Sequence, residues 1–242
     1  IRKSLIDSSP LKKEIIENVD LIVVRELIGG IYFGQPRGQI TNTKVKKAFN
    51  TMVYNSKEIE RITEVAIKIA NQRSKKICSV DKSNVLEVSQ LWRDTVLKVT
   101  SKDKNLNISN MYVDNAAMQL VKDPSQFDVI LTSNLFGDIL SDLAAMITGS
   151  IGMLPSASLS NSGPGVFEPV HGSAPDIAGK NVANPIAMAL STSMMLKIGL
   201  NEIEAADDIE IAIDNVLSKG YRTLDLDNGN CQVLSCSEIG EK

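Results

Sequence analysis

The sequence predicts an α/β fold in which strands alternate with helices and at least some strands pair in parallel. Compact apolar runs of strand length occur at residues 20–25, 76–80 and 128–132, and helical patterns separate them. Of the 242 residues, 43% are hydrophobic and 23% are charged, which is ordinary for a globular chain. This composition excludes disordered, collagen-like and disulfide-stapled proteins.

The N-terminal part predicts one helix, one buried strand and one loop. Ser9 as N-cap with Pro10 at the first helical position predicts a helix over residues 9–19. A strand follows at residues 20–25. Residues 26–38 then contain four glycines and a proline, and such a loop often carries function.

The middle of the chain alternates strands and helices. Residues 45–54 predict one strand of a protruding hairpin. Asn55 and Glu58 resemble a capping box and predict a helix that extends to about residue 73. The elements predicted after it are a strand at 76–80, a helix at 85–99, a strand at 108–113, a strand at 128–132 and a helix at 134–147.

From residue 149 onward the composition changes. Ten glycines and prolines within about thirty residues predict a long structured loop, and loops of this length are usually functional. Residues 186–196 then form a helical segment that is apolar almost all round, which favours either a buried core or a subunit interface. An amphipathic helix is predicted at residues 202–219.

Charge and cysteine content narrow the possible partners and location. Lys and Arg number 26 against 29 Asp and Glu, so the net charge of −3 gives no general attraction to nucleic acid or to an anionic membrane. Cys78, Cys231 and Cys236 are an odd number and are interpreted as free thiols in a reducing compartment. We expect a cytoplasmic location, with a plastid or another organelle left open. The apolar stretch 186–200 is interrupted and too short to span a bilayer.

Two acidic residues suggest a metal site. Asp138 and Asp142 are four residues apart in the predicted helix, and this spacing places both carboxylates on one face. Two such carboxylates repel unless a cation lies between them, and oxygen ligands favour Mg²⁺ or Mn²⁺ over Zn²⁺. A solvated acidic face is the alternative.

Four further residues are candidates for which the pattern leaves two interpretations open. Asp114 follows a predicted strand and is either a ligand group or the N-cap of the next helix. Lys82 is a base or part of a surface turn. Arg25 binds a carboxylate or forms a structural ion pair, and Tyr32 donates a proton or anchors its loop. Neither a GxGxxG loop nor a GxxxxGK[ST] loop occurs in the sequence.

Six segments carry a resemblance to one known family. They are RELIGGIYFGQPRG (25–38), SVDKSNVLEVSQLWR (79–93), MYVDNAAMQL (111–120), NLFGDILSD (134–142), GSIGMLPSASL (149–159) and GPGVFEPVHGSAPDIAGKNVANP (163–185). From about Ser9 to Thr223 the chain resembles the 3-isopropylmalate dehydrogenases of the β-decarboxylating dehydrogenase family, whereas the tail after Thr223 resembles them poorly. The resemblance implies an isopropylmalate/isocitrate dehydrogenase-like two-domain α/β fold, with mixed sheets flanked by helices.

The resemblance also implies an activity. It is the NAD-dependent oxidation of (2R,3S)-3-isopropylmalate with loss of CO₂, which gives 2-oxoisocaproate in leucine biosynthesis. One alternative is a related enzyme acting on homoisocitrate, isocitrate or tartrate. Another is an inactive fragment that retains metal and subunit binding. Because the chain starts at Ile1, we expect either a removed leader or a longer polypeptide, with the first part of the cofactor domain missing.

Roles for individual residues follow from the same resemblance. Tyr32 would protonate the enol carbon, and Lys82 would act as base in the active site of the other subunit of a homodimer. Arg25 would bind a substrate carboxylate, and Arg2 would be a second substrate contact. Asp138 and Asp142 would bind Mg²⁺ or Mn²⁺ together with Asp114 of the partner, which also lies at the substrate.

The resemblance places NAD on a loop, and it divides the chain. An acidic residue on the ribose hydroxyls favours NAD over NADP, because it would repel a 2′-phosphate. Residues 1–18 would be the remnant of an N-terminal segment, 19–145 the substrate and dimerisation domain, with helix 85–99 at the dimer contact, and 146–242 the C-terminal part of the cofactor domain. The residues expected to bind NAD are His171, Gly172, Ser173, Ala174, Pro175, Asp176, Ile177 and Asn184.

Overall fold

The computed structural model describes residues 2–41, 44–160 and 163–242. Ile1, where the predicted N-terminal remnant begins, lies outside the described residues. The chain divides into two compact units. The central unit is Asn18–Leu143, and the terminal unit combines Ile1–Glu17 with Ala144–Lys242.

The described ranges contain both strands and helices. The strands are β1 (Ile22–Arg25), β2 (Gly38–Ile40), β3 (Lys47–Phe49), β4 (Lys76–Asp81), β5 (Asn107–Tyr112), β6 (Val129–Thr132), β7 (Pro155–Ser158), β8 (Val166–Pro169), β9 (Tyr221–Arg222) and β10 (Gln232–Val233). The helices are α1 (Lys13–Ile16), α2 (Ser56–Asn71), α3 (Glu87–Thr100), α4 (Val113–Lys122), α5 (Asn134–Ala145), α6 (Ile186–Met194), α7 (Ile203–Ser218) and α8 (Cys236–Gly240).

A four-stranded parallel sheet organises the central unit. Its strand order is β1-β6-β4-β5, and every neighbouring pair is parallel. The core against this sheet includes Ile59 and Ala66 of α2, Trp92 and Val96 of α3, and Leu131 of β6. The inner strands β4 and β6 are apolar runs and are largely buried, as strands of a parallel sheet covered on both faces are, whereas the edge strand β5 is largely exposed. The predicted α/β class is therefore confirmed.

The structure contains the predicted capping box and the predicted hairpin. The Asn55 side chain accepts the backbone N–H of Glu58, and the Glu58 carboxylate accepts the N–H of Asn55, which together begin α2. Strands β2 and β3 form an antiparallel hairpin, although β3 has three residues where the sequence predicted a strand over 45–54.

The helix predicted over residues 9–19 is wrong. A 3₁₀ helix occupies Lys3–Ser8, and α1 has only four residues. The Ser9 hydroxyl accepts the N–H of Leu11, two residues on, so its side chain closes a local turn instead of capping a helix. The chain reaches α1 only after this turn.

The terminal unit has a core of its own. α6 buries Ile186, Ala187 and Leu190 on one face and leaves Met188 exposed, so the segment predicted as apolar all round is half covered within this unit. It continues as a π-helix over Met195–Leu200. The antiparallel pair β7–β8 lies inside the stretch predicted to be a long loop. Among the described residues, no helix has the length and apolar content to cross a membrane.

Candidate active site

The candidate residues of the central unit lie at one edge of its sheet. The register aligns the strand ends, with Arg25 beside Thr132, Thr132 beside Val80, and Asp81 beside Tyr112. Because all four strands are parallel, the chain leaves each of them at the same edge, where α/β proteins place ligand groups. The candidates occur at or just after these strand ends: Arg25 ends β1, Lys82 follows β4, Asp114 follows β5, and α5 follows β6. Helix α5, which follows β6, supplies Asp138 and Asp142.

Arg25, Tyr32 and Asp138 form a hydrogen-bonded group. Nη1 of Arg25 donates to Oδ1 of Asp138 at 2.6 Å, and the Tyr32 hydroxyl donates to Oδ2 at 2.8 Å. The hydrogen bond to the carboxylate raises the pKa of the Tyr32 phenol, and burial and the charge of Asp138 raise it further. Arg25 therefore forms an ion pair within the chain, as one of its two interpretations predicts, and its binding of a substrate carboxylate stays a prediction.

The glycine-rich loop brings Tyr32 to this group. The buried Glu26 carboxylate accepts the N–H groups of Ile28 and Gly29, and it forms an ion pair with Arg61 of α2 at 2.7 Å. Gly34 approaches the Thr51 carbonyl so closely that a Cβ would lie 1.9 Å from its oxygen. Only glycine permits this approach, which closes the loop on the segment after the hairpin.

Asp138 and Asp142 are suitable in kind for a hard divalent cation. They lie one turn apart on α5, and carboxylate oxygens are the ligands that Mg²⁺ and Mn²⁺ prefer. Both oxygens of Asp138 accept hydrogen bonds from the chain itself, so a bound ion would compete with Arg25 or Tyr32. In the described ranges, no group of three acidic, His or Cys side chains is close enough to hold an ion. Two carboxylates of this chain are thus of the kind that would hold such an ion, and the metal site stays a prediction.

Lys82 and Asp114 form a separate ion pair. The Lys82 ammonium donates to Oδ1 of Asp114, and this bond lowers the pKa of the Asp114 carboxyl. Helix α4 begins at Val113 with Tyr112 as its N-cap, so Asp114 lies in the first turn and the alternative of an N-cap at Asp114 is wrong. Strand β5 is two strands from β6, roughly 10 Å at the usual spacing. Asp114 is accordingly not grouped with Asp138 within one chain.

The turn that carries Lys82 is fixed by a buried carboxylate. Asp81 is 1% exposed and accepts two hydrogen bonds from Arg93, each 2.9 Å long, as well as the N–H of Ser83. The Arg93 guanidinium and the Lys82 ammonium both lie over the Tyr112 ring, at 5.1 Å and 5.7 Å from its centroid. This network orients the base of the turn from which Lys82 projects.

The sequence did not single out Asn134 and Gly137 as functional residues. Oδ1 of the buried Asn134 accepts both Nε and Nη2 of Arg25, at 3.1 Å and 2.7 Å. A Cβ on Gly137 would lie 2.6 Å from Cγ of Arg25. Asparagine and glycine just after a buried strand, three residues apart and before the acidic pair, were the available signal.

In the terminal unit, the loop predicted to bind NAD is mostly exposed. Residues 172–176 are all exposed, with Ala174 in the left-handed region at φ 42°. The His171 ring lies 2.9 Å from the Gly172 carbonyl through Nδ1. Asn184 is held differently, because Nδ2 donates to Asp225 and Oδ1 accepts the N–H of Ile186.

Arg2, the second expected substrate contact, lies against α7 in the terminal unit. Its guanidinium donates to Oδ1 of Asp214 and forms an ion pair with Glu210 at 3.6 Å. These two carboxylates neutralise the side chain within this unit. A role for Arg2 at the substrate therefore stays a prediction.

The sequence model of the isocitrate/isopropylmalate dehydrogenase family matches residues 1–242. The chain belongs to this family. The match also covers the tail after Thr223, so the expectation that this tail resembles the family poorly is wrong. The tail forms β10 and α8 and holds none of the candidate site residues, so no motif marked it.

The relatives in this family extend beyond the chain. A 3-isopropylmalate dehydrogenase of Prochlorococcus marinus subsp. pastoris is 92% identical over 242 residues, which are 100% of this chain and 68% of that protein. One of Synechococcus sp. is 62% identical over 239 residues, or 99% of this chain and 67% of that protein. The crystal structure of an isocitrate dehydrogenase from Methylococcus capsulatus has a TM-score of 0.86 at 36% identity and covers 92% of this chain and 66% of that one. The chain thus spans about two thirds of the length of these relatives.

Proposed function

We propose that this protein catalyses the NAD-dependent oxidative decarboxylation of (2R,3S)-3-isopropylmalate to 2-oxoisocaproate, a step of leucine biosynthesis. The observation that carries the proposal is the group in which Asp138 accepts hydrogen bonds from Arg25 and Tyr32, with Asp142 one turn further along α5. It combines a cation for a carboxylate, a proton donor and an acidic pair at one sheet edge. Relatives named 3-isopropylmalate dehydrogenase at 62% to 92% identity support the choice of substrate.

Arg25 and Tyr32 have complementary tasks in this reaction. Arg25 binds a malate carboxylate through N–H groups that Asn134 and Asp138 do not use. Tyr32 is a phenol and so keeps its proton at neutral pH. It gives that proton to the carbon from which CO₂ departs. The exposed position of its hydroxyl leaves room for a small substrate beside it.

The acidic residues would hold the metal ion. Asp138 and Asp142 of one chain, with Asp114 of a second copy, are the residues that would bind Mg²⁺ or Mn²⁺. When bound, such an ion supplies stabilisation of negative charge on the substrate oxygens. Lys82 of the second copy takes the hydroxyl proton. The proposal therefore requires a homodimer, and the separation of Lys82 and Asp114 from Asp138 within one chain supports this requirement.

The loop of residues 171–184 would bind the adenosine half of NAD. Asp176 is exposed and free to accept hydrogen bonds from the ribose hydroxyls, and its charge would repel a 2′-phosphate. His171 would lie at the adenine. Because the Asn184 side chain already binds Asp225 and begins α6, its backbone is the part available to the adenine. We place the enzyme in the cytoplasm.

An assay of NADH formation tests this function directly. With Mn²⁺ and NAD, we expect turnover of 3-isopropylmalate and little turnover of homoisocitrate, isocitrate or tartrate. The same assay is run on a version extended to the length of the Prochlorococcus relative. Activity of the extended version alone indicates that this stretch needs the additional residues, and a preference of both versions for another malate contradicts the proposed substrate. A fully active monomer in sedimentation analysis contradicts the shared site.

A further inference from the structure

Asn134 takes no part in the proposed chemistry, yet it contacts three of the segments that form the site. It is 1% exposed at the first position of α5. Its Oδ1 accepts two N–H groups of Arg25, and its Nδ2 donates to the carbonyls of Leu27 at 2.9 Å and Gly29 at 3.2 Å. Its backbone N–H donates to the hydroxyl of the buried Tyr54 at 2.8 Å. Every polar atom of this amide side chain is therefore used to join β1 and the glycine-rich loop to α5.

Within the described residues, the hydrogen bonds of Arg25 leave some of its N–H donors unused. A guanidinium has five N–H donors, one on Nε and two on each terminal nitrogen. Asn134 binds Nε and one N–H of Nη2, and Asp138 binds one N–H of Nη1. Within the described residues, one N–H on each terminal nitrogen is left without a protein acceptor. These two donors are the ones that a substrate carboxylate can engage.

We propose that Asn134 is a positioning residue for Arg25. It holds the Nε side of the guanidinium, so that one N–H of each terminal nitrogen is kept for the substrate carboxylate. The same amide holds the loop that carries Tyr32, through the Leu27 and Gly29 carbonyls. The inference rests on the proposed function, because that function assigns the ligand of Arg25.

Two substitutions separate the two halves of this role. Asn134→Ala removes both the acceptor of Arg25 and the donors to the loop, so we expect KM for 3-isopropylmalate to rise about tenfold or more and kcat to fall about tenfold. Asn134→Asp keeps an oxygen acceptor for Arg25 but loses both donors and places a carboxylate against two carbonyls. We therefore expect a KM close to that of the wild type and a kcat about tenfold lower, because the Tyr32 loop is displaced. Asn105→Ala, at an exposed position of the same unit, is the matched control and should change neither value.

A second measurement reports on Arg25 without turnover. In ¹⁵N-labelled protein, the Nε–Hε resonance of Arg25 is assigned by its loss in Arg25→Lys. Asn134→Ala should shift this resonance and speed its hydrogen exchange, whereas Asn134→Asp and Asn105→Ala should leave exchange slow. If Asn134→Ala does not fold, Asn134→Asp still gives a test through its slow Nε exchange and its retained KM.

Specific outcomes would overturn the inference. An unchanged Nε resonance with an unchanged KM in folded Asn134→Ala would show that Arg25 does not depend on the amide. Equal effects of the Ala and Asp substitutions on KM would show a purely structural role. If the wild type turns over no malate, the proposed function fails, and the Nε resonance alone still decides whether Asn134 positions Arg25.

Discussion

The predicted substrate residues and the predicted cofactor residues differ in how the folded chain holds them. In the central unit, Arg25 and Tyr32 both bind Asp138, and Asn134 binds Arg25. In the terminal unit, residues 172–176 are exposed, and their loop is anchored at its C-terminal side, where Nδ2 of Asn181 donates to the Ser237 hydroxyl.

This difference follows from the chemistry of the two ligands. A half-buried guanidinium and carboxylate are costly unless they are paired, so the chain pairs them before any substrate arrives. The ribose hydroxyls and the base edge of NAD need donors and acceptors on the protein, and these groups can stay hydrated until the ligand binds. We therefore expect substitutions in the group of Arg25, Tyr32 and Asp138 to disturb neighbouring residues. Substitutions in the loop of residues 171–184 should change only the binding of NAD.

The largest expected effect is that of Asp138→Ala. It removes one metal ligand and leaves Arg25 and Tyr32 without their shared partner, so turnover should fall by about 1000-fold or more. Mn²⁺ binding, followed by electron paramagnetic resonance, should be lost as well. Asp176→Ala in the cofactor loop is the matched change: it should raise KM for NAD about tenfold and leave Mn²⁺ binding intact. Loss of Mn²⁺ binding in Asp176→Ala would remove the distinction between the two regions.

Tyr32→Phe should have the next largest effect. The phenol is lost while the ring remains, so kcat should fall about 100-fold or more, the usual contribution of a positioned proton donor. Thermal unfolding should stay close to that of the wild type because the hydrogen bond that is lost, to Asp138, is exposed. Tyr221→Phe in the terminal unit is the control. Wild-type turnover in Tyr32→Phe would refute the assignment of this phenol.

A pair of glycine substitutions compares the packing of the two regions. A Cβ on Gly137 would lie 2.6 Å from Cγ of Arg25, whereas a Cβ on Gly172 would meet nothing within 4 Å. In Gly137→Ala, a gain in helix propensity of about 1 kcal/mol offsets part of an overpacking cost of about 1–3 kcal/mol. The clearer signal is therefore KM for 3-isopropylmalate, which should rise about tenfold. Gly172→Ala should be neutral for both KM and stability, and equal effects would contradict the packing contrast.

The smallest expected effect is on stability at high pH. Burial, together with the charges of Glu26 and Glu58, raises the pKa of Tyr54 from 10.0 to about 12, against the lowering effect of the Asn134 N–H and the charge of Arg25. A group with a raised pKa stabilises the fold below its unfolded pKa and loses that contribution as pH rises through its folded pKa. Tyr54→Phe should cost about 1 kcal/mol near neutral pH through the lost hydrogen bond. Denaturant unfolding at several pH values should show this difference shrinking from pH 10 upward, and a constant difference would argue against a neutral Tyr54.

Much of the fold follows from local patterns. The apolar runs at 20–25, 76–80 and 128–132 and the capping box at Asn55 depend on residues close in sequence, and the structure has strands and a helix there. The helix predicted from Ser9 failed because one hydroxyl can serve either a helix or a turn, and the choice depends on what the following residues pack against. The pairing of β7 with β8 inside a glycine-rich stretch depends on contacts between two separate segments, which no short pattern encodes.

The candidate site was predictable in its charged members and not in its supports. Arg25, Asp138 and Tyr32 were chosen by residue type and place, and the structure brings them together. The role of Asn134 depends on a backbone carbonyl pattern at Leu27 and Gly29 more than a hundred positions away. A neutral amide has no charge that marks it in the sequence. Its function becomes visible only when the positions of both partners of each hydrogen bond are known.

The terminal unit is discontinuous in sequence, and this bears on how the protein folds during synthesis. The central unit is one uninterrupted stretch, so its sheet is complete once β6 has left the ribosome. Leu5 packs in a core with Leu217 and Leu226, and Nη2 of Arg222 donates to the Ser4 carbonyl 218 positions away. Ser4 and Leu5 can therefore make these contacts only after residues 217–226 have been synthesised. Contacts that close so long a loop form late. We expect the central unit to resist protease on ribosome-bound chains well before the terminal unit does.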